Sequence, residues 1–205
     1  MKNIPRNLPS EERRAATVMA LVALAGEQNP SDITTTDIAK RMGLTQGALF
    51  RHFPNKEAIL LTTLAAISEC FLSRVDKAAK NITSPLEALE AIFMAHVNYV
   101  SEFPGVSRFI LAELQRPDGT LSKQKVLIFN QHYKERILKQ LKAGVALGEL
   151  NPELDVDAAA ILFMGAIQGL VTQSLTISDA VQMHLDSPKV FALYRQVICN
   201  MVNTK

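Results

Sequence analysis

An all-α fold follows from three observations along this 205-residue chain. Apolar residues recur at helical spacing in one segment after another, and the strict alternation of a half-buried strand is nowhere sustained. Turn signals separate those segments: NPSD (29–32), Gly43, Pro54, Thr83-Ser84-Pro85, Pro104-Gly105, PDG (117–119), Asn151-Pro152 and Ser187-Pro188. Finally, 48% of the residues are hydrophobic and 20% charged, enough to bury a core without disulfide or metal staples.

The elements come in order at about 10–26, 34–42, 46–52, 55–80, 85–103, 105–115, 122–148, 155–176 and 187–203. The first opens at Pro9-Ser10, with Ser10 as N-cap, Glu11 and Glu12 in the first turn and Gly26 as its stop. Its uncharged run (15–25) has the look of a secretion signal, but the two glutamates stand where a basic region belongs, so it reads as a buried helix. The second starts at Thr34, three residues before Asp37, in the manner of a capping box, and Ile33 and Ile38 take the two positions of a hydrophobic staple. Gly43 closes it in the left-handed conformation, Leu44 packs inward and Thr45 caps the third helix. Asn55 caps the fourth. From there on the helices are long and apolar, as in a bundle. No uninterrupted apolar stretch reaches the roughly 18–20 residues of a membrane span, so the expectation is a soluble, cytoplasmic protein with no membrane partner.

Helix, a glycine-containing turn, helix over 34–52 is the helix-turn-helix arrangement. A second helix that enters a major groove N-terminus first puts its first-turn residues on base edges. Thr45 and Gln46 suit that task, Gln because its amide can pair with adenine. Gly47 has no side chain to hold the helix away from a duplex. Ala39, Leu49 and Phe53 lock the helices together. Arg51, His52 and Lys56 fall within reach of phosphates, and Thr34, Thr36 and Phe50 complete the expected backbone contacts. Residues 1–56 carry a net charge of +3 and residues 57–205 of −1, a weak N-terminal bias of the right sign.

Thirteen of these positions, Thr34, Asp37, Ile38, Ala39, Gly43, Thr45, Gly47, Leu49, Phe50, His52, Phe53, Asn55 and Lys56, resemble the DNA-binding motif of TetR-type (TetR/AcrR) transcriptional regulators. That motif reads, loosely, T-x-x-[DE]-I-A, a glycine, then [ST]-x-G-x-[LIF]-Y-x-H-F-x-[SN]-K. Phe50 stands where the family has tyrosine, so the phenolic hydroxyl that would bond a phosphate is missing. The resemblance covers about residues 10–60. It implies a three-helix DNA-binding domain over 1–54 and a larger helical ligand-binding and dimerisation domain over 55–205. It also implies a homodimer on a palindromic double-stranded operator, a last pair of helices that forms the dimer bundle, and a small-molecule effector.

The C-terminal sequence offers suitable material. Ala158, Ala159, Gly165, Ala166 and Gly169 let helices approach closely. Phe93, His96, Tyr99, Phe103, Phe109, Phe129, His132, Phe163 and Gln168 are the candidate contacts for an apolar effector with one or two polar groups. Phosphate loops, dinucleotide motifs, G-x-S-x-G, H-E-x-x-H and E-x-x-H are all absent. The four histidines are dispersed, and Cys70 and Cys199 form no metal spacing. The expectation is a DNA-binding repressor without catalytic residues, cofactor or metal. A helical architectural DNA-binding protein that does not switch on a ligand is the alternative.

Overall fold

The computed structural model describes the backbone of residues 10–177 and 180–199. Among these residues the secondary structure is helical, with no strand. The helices are α1 (Ser10–Glu27), α2 (Thr35–Arg41), α3 (Gln46–Phe50), α4 (Lys56–Ala79), α5 (Pro85–Glu102), α6 (Pro104–Leu114), α7 (Leu121–Ala146), α8 (Val156–Ile177) and α9 (Ala180–Cys199). Residues 200–203 of the expected last helix lie outside the described part. The chain forms two compact units. One holds the residues up to Cys70 with Phe103–Phe129; the other holds Phe71–Glu102 and the chain from Asn130 onward. The long helices α4 and α7 each contribute to both, so these packing units do not follow the linear division at residue 54.

In the first unit α1 buries Thr17, Val18, Leu21, Val22, Leu24 and Ala25. It does not stop at Gly26 as expected but runs on to Glu27. Gly26 instead lies against α6, where a Cβ would stand 3.5 Å from the Gly105 nitrogen, in ordinary contact. A Cβ on Gly105 would overlap the carbonyl oxygen of Val22 and lie 2.7 Å from the Gly26 nitrogen. Glycine at position 105 therefore lets α1 and α6 touch backbone to backbone. Arg108 donates from Nη1 to the Gly26 carbonyl at 3.2 Å, satisfying one of the open acceptors at the end of α1. Pro104, read as part of a break, is the first residue of α6, where its missing N–H costs nothing.

In the second unit α5, α8 and α9 pack around Phe93, Phe163 and Phe191. The Phe93 and Phe163 rings meet edge-on at 5.3 Å. Tyr194 is buried beside them and donates its hydroxyl to the Ala159 carbonyl at 3.1 Å. The start of α5 is anchored from a distance: Glu149 Oε2 accepts from the Ser84 hydroxyl at 2.6 Å and from the Leu86 amide at 3.1 Å. The expected break at Ser187-Pro188 is absent, and α9 runs through Pro188 from Ala180. The proline leaves the His184 carbonyl without its amide partner, and Ser187 Oγ donates to that carbonyl at 3.2 Å. The helix is thereby continued across a residue that ordinarily interrupts it.

Two helices, Lys56–Ala79 and Val156–Leu175, are long and apolar enough on average to cross a membrane, although neither carries an uninterrupted apolar run of that length. Such averages are also met by core helices. The two cysteines are free thiols.

Gly105→Ala forces α1 and α6 apart and should destabilise the protein by roughly 1–3 kcal/mol, lowering its melting temperature by several degrees. An unchanged melting temperature would mean that the two backbones do not touch.

Candidate nucleic-acid interface

The interface is built by short helices whose ends are fixed. At the start of α2 the Asp37 amide donates to Thr34 Oγ1 at 3.1 Å, and the Thr34 amide donates to Asp37 Oδ2 at 2.8 Å. The Thr34 hydroxyl gives its own hydrogen to the same carboxylate oxygen at 2.7 Å. These Thr34 bonds, side chain first and backbone second, hold the Asp37 carboxyl below its ordinary range. Ile33 and Ile38 are fully buried beneath. Gly43 closes α2 at φ +67°, in the left-handed region, and the Leu44 amide returns to the Ala39 carbonyl at 2.8 Å.

Thr45 then caps α3 by accepting from the Ala48 amide at 3.2 Å. The helix is shorter than its sequence suggests and ends at Phe50, with Arg51 and His52 in the turn that follows. Leu49 and Phe53 are buried, which seats α3 on its neighbours, and Arg14 lies over the Phe53 ring at 5.7 Å. Asn55 Oδ1 accepts from the Ala58 amide at 2.8 Å and starts α4.

This seating leaves Thr36, Thr45, Gln46, Gly47, Phe50 and Arg51 exposed, with His52 and Lys56 half-buried beside them. A Cβ on Gly47 would meet no atom of the chain within 4 Å, so nothing inside the protein requires glycine there. Thr34 is exposed but its hydroxyl hydrogen is committed to Asp37, so only a lone pair remains to offer. One participant has no signal in the sequence. Thr35, the buried first residue of α2, accepts from Gln46 Nε2 at 2.7 Å. That bond takes one of the two amide hydrogens of the exposed Gln46 and leaves the other, together with the carbonyl oxygen, for a further partner. Arg41 is occupied by a two-pronged ion pair with Glu27.

The candidate effector contacts are dispersed. His96 and Tyr99 join Phe71 and Tyr133 in the second unit, where Phe71 is edge-on to all three at 4.8–5.4 Å. His96 Nδ1 lies 3.0 Å from the Tyr133 hydroxyl. Burial drives His96 down to about 3 and Tyr133 well above its ordinary value, so both are neutral at pH 7. Phe93 and Phe163 belong to the α5–α8–α9 core, while His132 and Gln168 are exposed. Phe103, Phe109 and Phe129 fall in the first unit. No metal-holding group of His, Cys, Asp or Glu occurs among the described residues.

His96 binds a proton in the unfolded chain near pH 6.5 but not in the folded one until about pH 3. The unfolded state therefore holds the extra proton between those values, and stability falls as pH drops below 6.5. Urea unfolding should show a loss of up to about 1.4 kcal/mol per pH unit between pH 6.5 and 5, above the carboxylate range. His96→Gln should flatten that slope, and an unaltered slope would place the proton elsewhere.

Comparison with known proteins agrees with this geometry. A model of the tetR family of bacterial regulatory proteins matches residues 19–63, and a tetracyclin repressor-like C-terminal domain matches residues 85–202. The nucleoid occlusion factor SlmA of Marinomonas sp. (strain MWYL1) is 24% identical over 164 residues, 78% of this chain and 81% of that protein. The HTH-type transcriptional repressor KstR2 of Mycolicibacterium smegmatis is 26% identical over 145 residues, 71% of each chain. The transcriptional regulator FadR from Bacillus subtilis, solved in complex with stearoyl-CoA, shares the fold with a TM-score of 0.77 at 23% identity, over 90% of this chain and 98% of that one. With its helix-turn-helix and most of its remaining length matched, the chain belongs to the TetR family of bacterial regulatory proteins.

Proposed function

We propose that the protein is a homodimeric repressor that occupies a palindromic operator and is released by a small organic effector. The observation that carries this reading is the exposed first turn of α3, Thr45-Gln46-Gly47, on a rigidly capped base. The Thr35 bond orients the Gln46 amide and leaves free the donor and acceptor that adenine's major-groove edge requires. Phe50, Arg51, His52 and Lys56 take the flanking backbone, Phe50 by contact alone. Thr36 does so from α2, and Thr34 through a lone pair.

Support for a dimer comes from α8 and α9. Ile161, Leu162, Leu185, Leu193 and Val197 are large, apolar and exposed, and Gly165 and Gly169 have open space where a Cβ would stand. Apolar area of that kind on two adjacent helices suits an isologous partner. Two α3 helices about 34 Å apart, or a multiple of the DNA repeat, then read two half-sites. An effector held by the second unit releases DNA to the extent that it prefers a dimer geometry with another spacing. Its class is suggested by the stearoyl-CoA in the B. subtilis FadR structure.

A second reading, a DNA-binding factor without ligand switching, is favoured by the similarity to SlmA and by the filled aromatic clusters around Phe71 and Phe93. Loss of operator affinity on adding a ligand separates the two.

Selection of bound fragments from random DNA should return a palindrome, and a unique asymmetric site would sink the dimeric reading. On that operator Lys56→Ala should weaken binding to all sequences alike and reduce the salt slope by about one. Gln46→Ala and Thr35→Val should instead relax preference at one base position per half-site, with Thr35→Ser retaining it. Uniform loss in those variants would refute base reading by Gln46.

A further inference from the structure

Most arginines of the first unit are already occupied. Arg13 is buried, Arg41 is held by Glu27, Arg108 by the Gly26 carbonyl and Arg116 by Glu113. Arg14 and Arg51 are exposed, and neither forms an ion pair among the described residues, not even Arg14 with Glu11 three residues earlier on α1. Arg51 stands in the turn after α3, among the backbone contacts proposed for that turn. Arg14 lies on α1, outside the helix-turn-helix.

Its position is nevertheless tied to that turn. The guanidinium carbon of Arg14 lies 5.7 Å from the centre of the Phe53 ring. Phe53 is itself buried, but Arg51, Pro54 and Asn55 beside it in the chain are exposed, and His52 and Lys56 are half-buried. An exposed guanidinium over a buried ring therefore marks the rim where α1 meets residues 51–56. His52 and Lys56 are one and three residues from Phe53, so their Cα atoms lie within roughly 4 and 11 Å of its own. Three phosphates of one strand advance along a duplex by a similar distance, about 3.4 Å each.

The ring contact holds the cation without neutralising its charge. It also takes none of the five N–H donors of the guanidinium, whose planar fork matches a phosphate. We propose that Arg14 is a further DNA contact, donating to a backbone phosphate beside those taken by His52 and Lys56, with the Phe53 ring as its support. The phosphate-binding rim then extends from α3 and the start of α4 onto α1. Phe53 packs the three-helix core with most of its surface and seats a cation with the rest. The inference rests on the reading of the helix-turn-helix as a duplex-binding surface.

The test measures duplex binding by the full chain against salt concentration, on the selected operator and on random duplex. Arg14→Gln should weaken both about tenfold at low salt and lower the salt slope by about one for each subunit bound. Arg14→Lys should keep the slope, because the charge stays, while losing part of the affinity along with the two-pronged geometry. Melting temperatures should stay within about two degrees of the parent, since the side chain is exposed. Lys80→Gln makes the same change of charge in the second unit and should leave the slope unaltered. An unchanged slope in Arg14→Gln, an equal fall in Lys80→Gln, a loss confined to the operator, or a loss that tracks a falling melting temperature overturns the inference. If Lys56→Ala lowers the slope and Arg14→Gln does not, only the Arg14 contact is refuted. Should the parent bind no duplex at all, the helix-turn-helix reading falls and takes the Arg14 contact with it.

Discussion

A helix of five or seven residues does not persist by itself, because nucleation is unfavourable and too few internal bonds follow. Helices α2 and α3 are that short, and everything proposed for DNA recognition depends on their holding one geometry. The reciprocal bonds between Thr34 and Asp37 supply the missing partners at the start of α2, Gly43 closes its end, and Thr45 opens α3 within two residues. Ile33, Ile38, Leu49 and Phe53 then anchor both helices from below. The exposed first turn of α3 is consequently a rigid feature of a small core, not the tip of a mobile loop.

The second unit solves another problem. It buries polar atoms on purpose-built partners: Tyr194 on the Ala159 carbonyl, Glu149 on the start of α5, and Ser187 on the carbonyl that Pro188 leaves open. Each removes a cost that an unpaired buried group would impose. The His96–Tyr133 pair follows the same rule, at the expense of a histidine kept neutral far below its ordinary titration range. Meanwhile the apolar face of α8 and α9 is left open. One unit therefore contains a packed interior and a hydrophobic exterior face on neighbouring helices.

Much of this was legible in the chain itself. The helical class, the order of the elements, the caps at Thr34, Thr45 and Asn55 and the turn at Gly43 arise from interactions within about four residues, and local residue types determine such interactions. The thirteen-position resemblance rests on the same short stretch. What tertiary structure alone decided involves residues far apart in sequence. Gly105 is a packing glycine because Val22 and Gly26, some eighty residues away, lie against it. Thr35 holds Gln46 across the turn, and Asp76 and Arg136, sixty residues apart, lock α4 to α7. A local pattern can specify where a helix begins, but which backbones touch and which charges pair is settled only when distant helices pack.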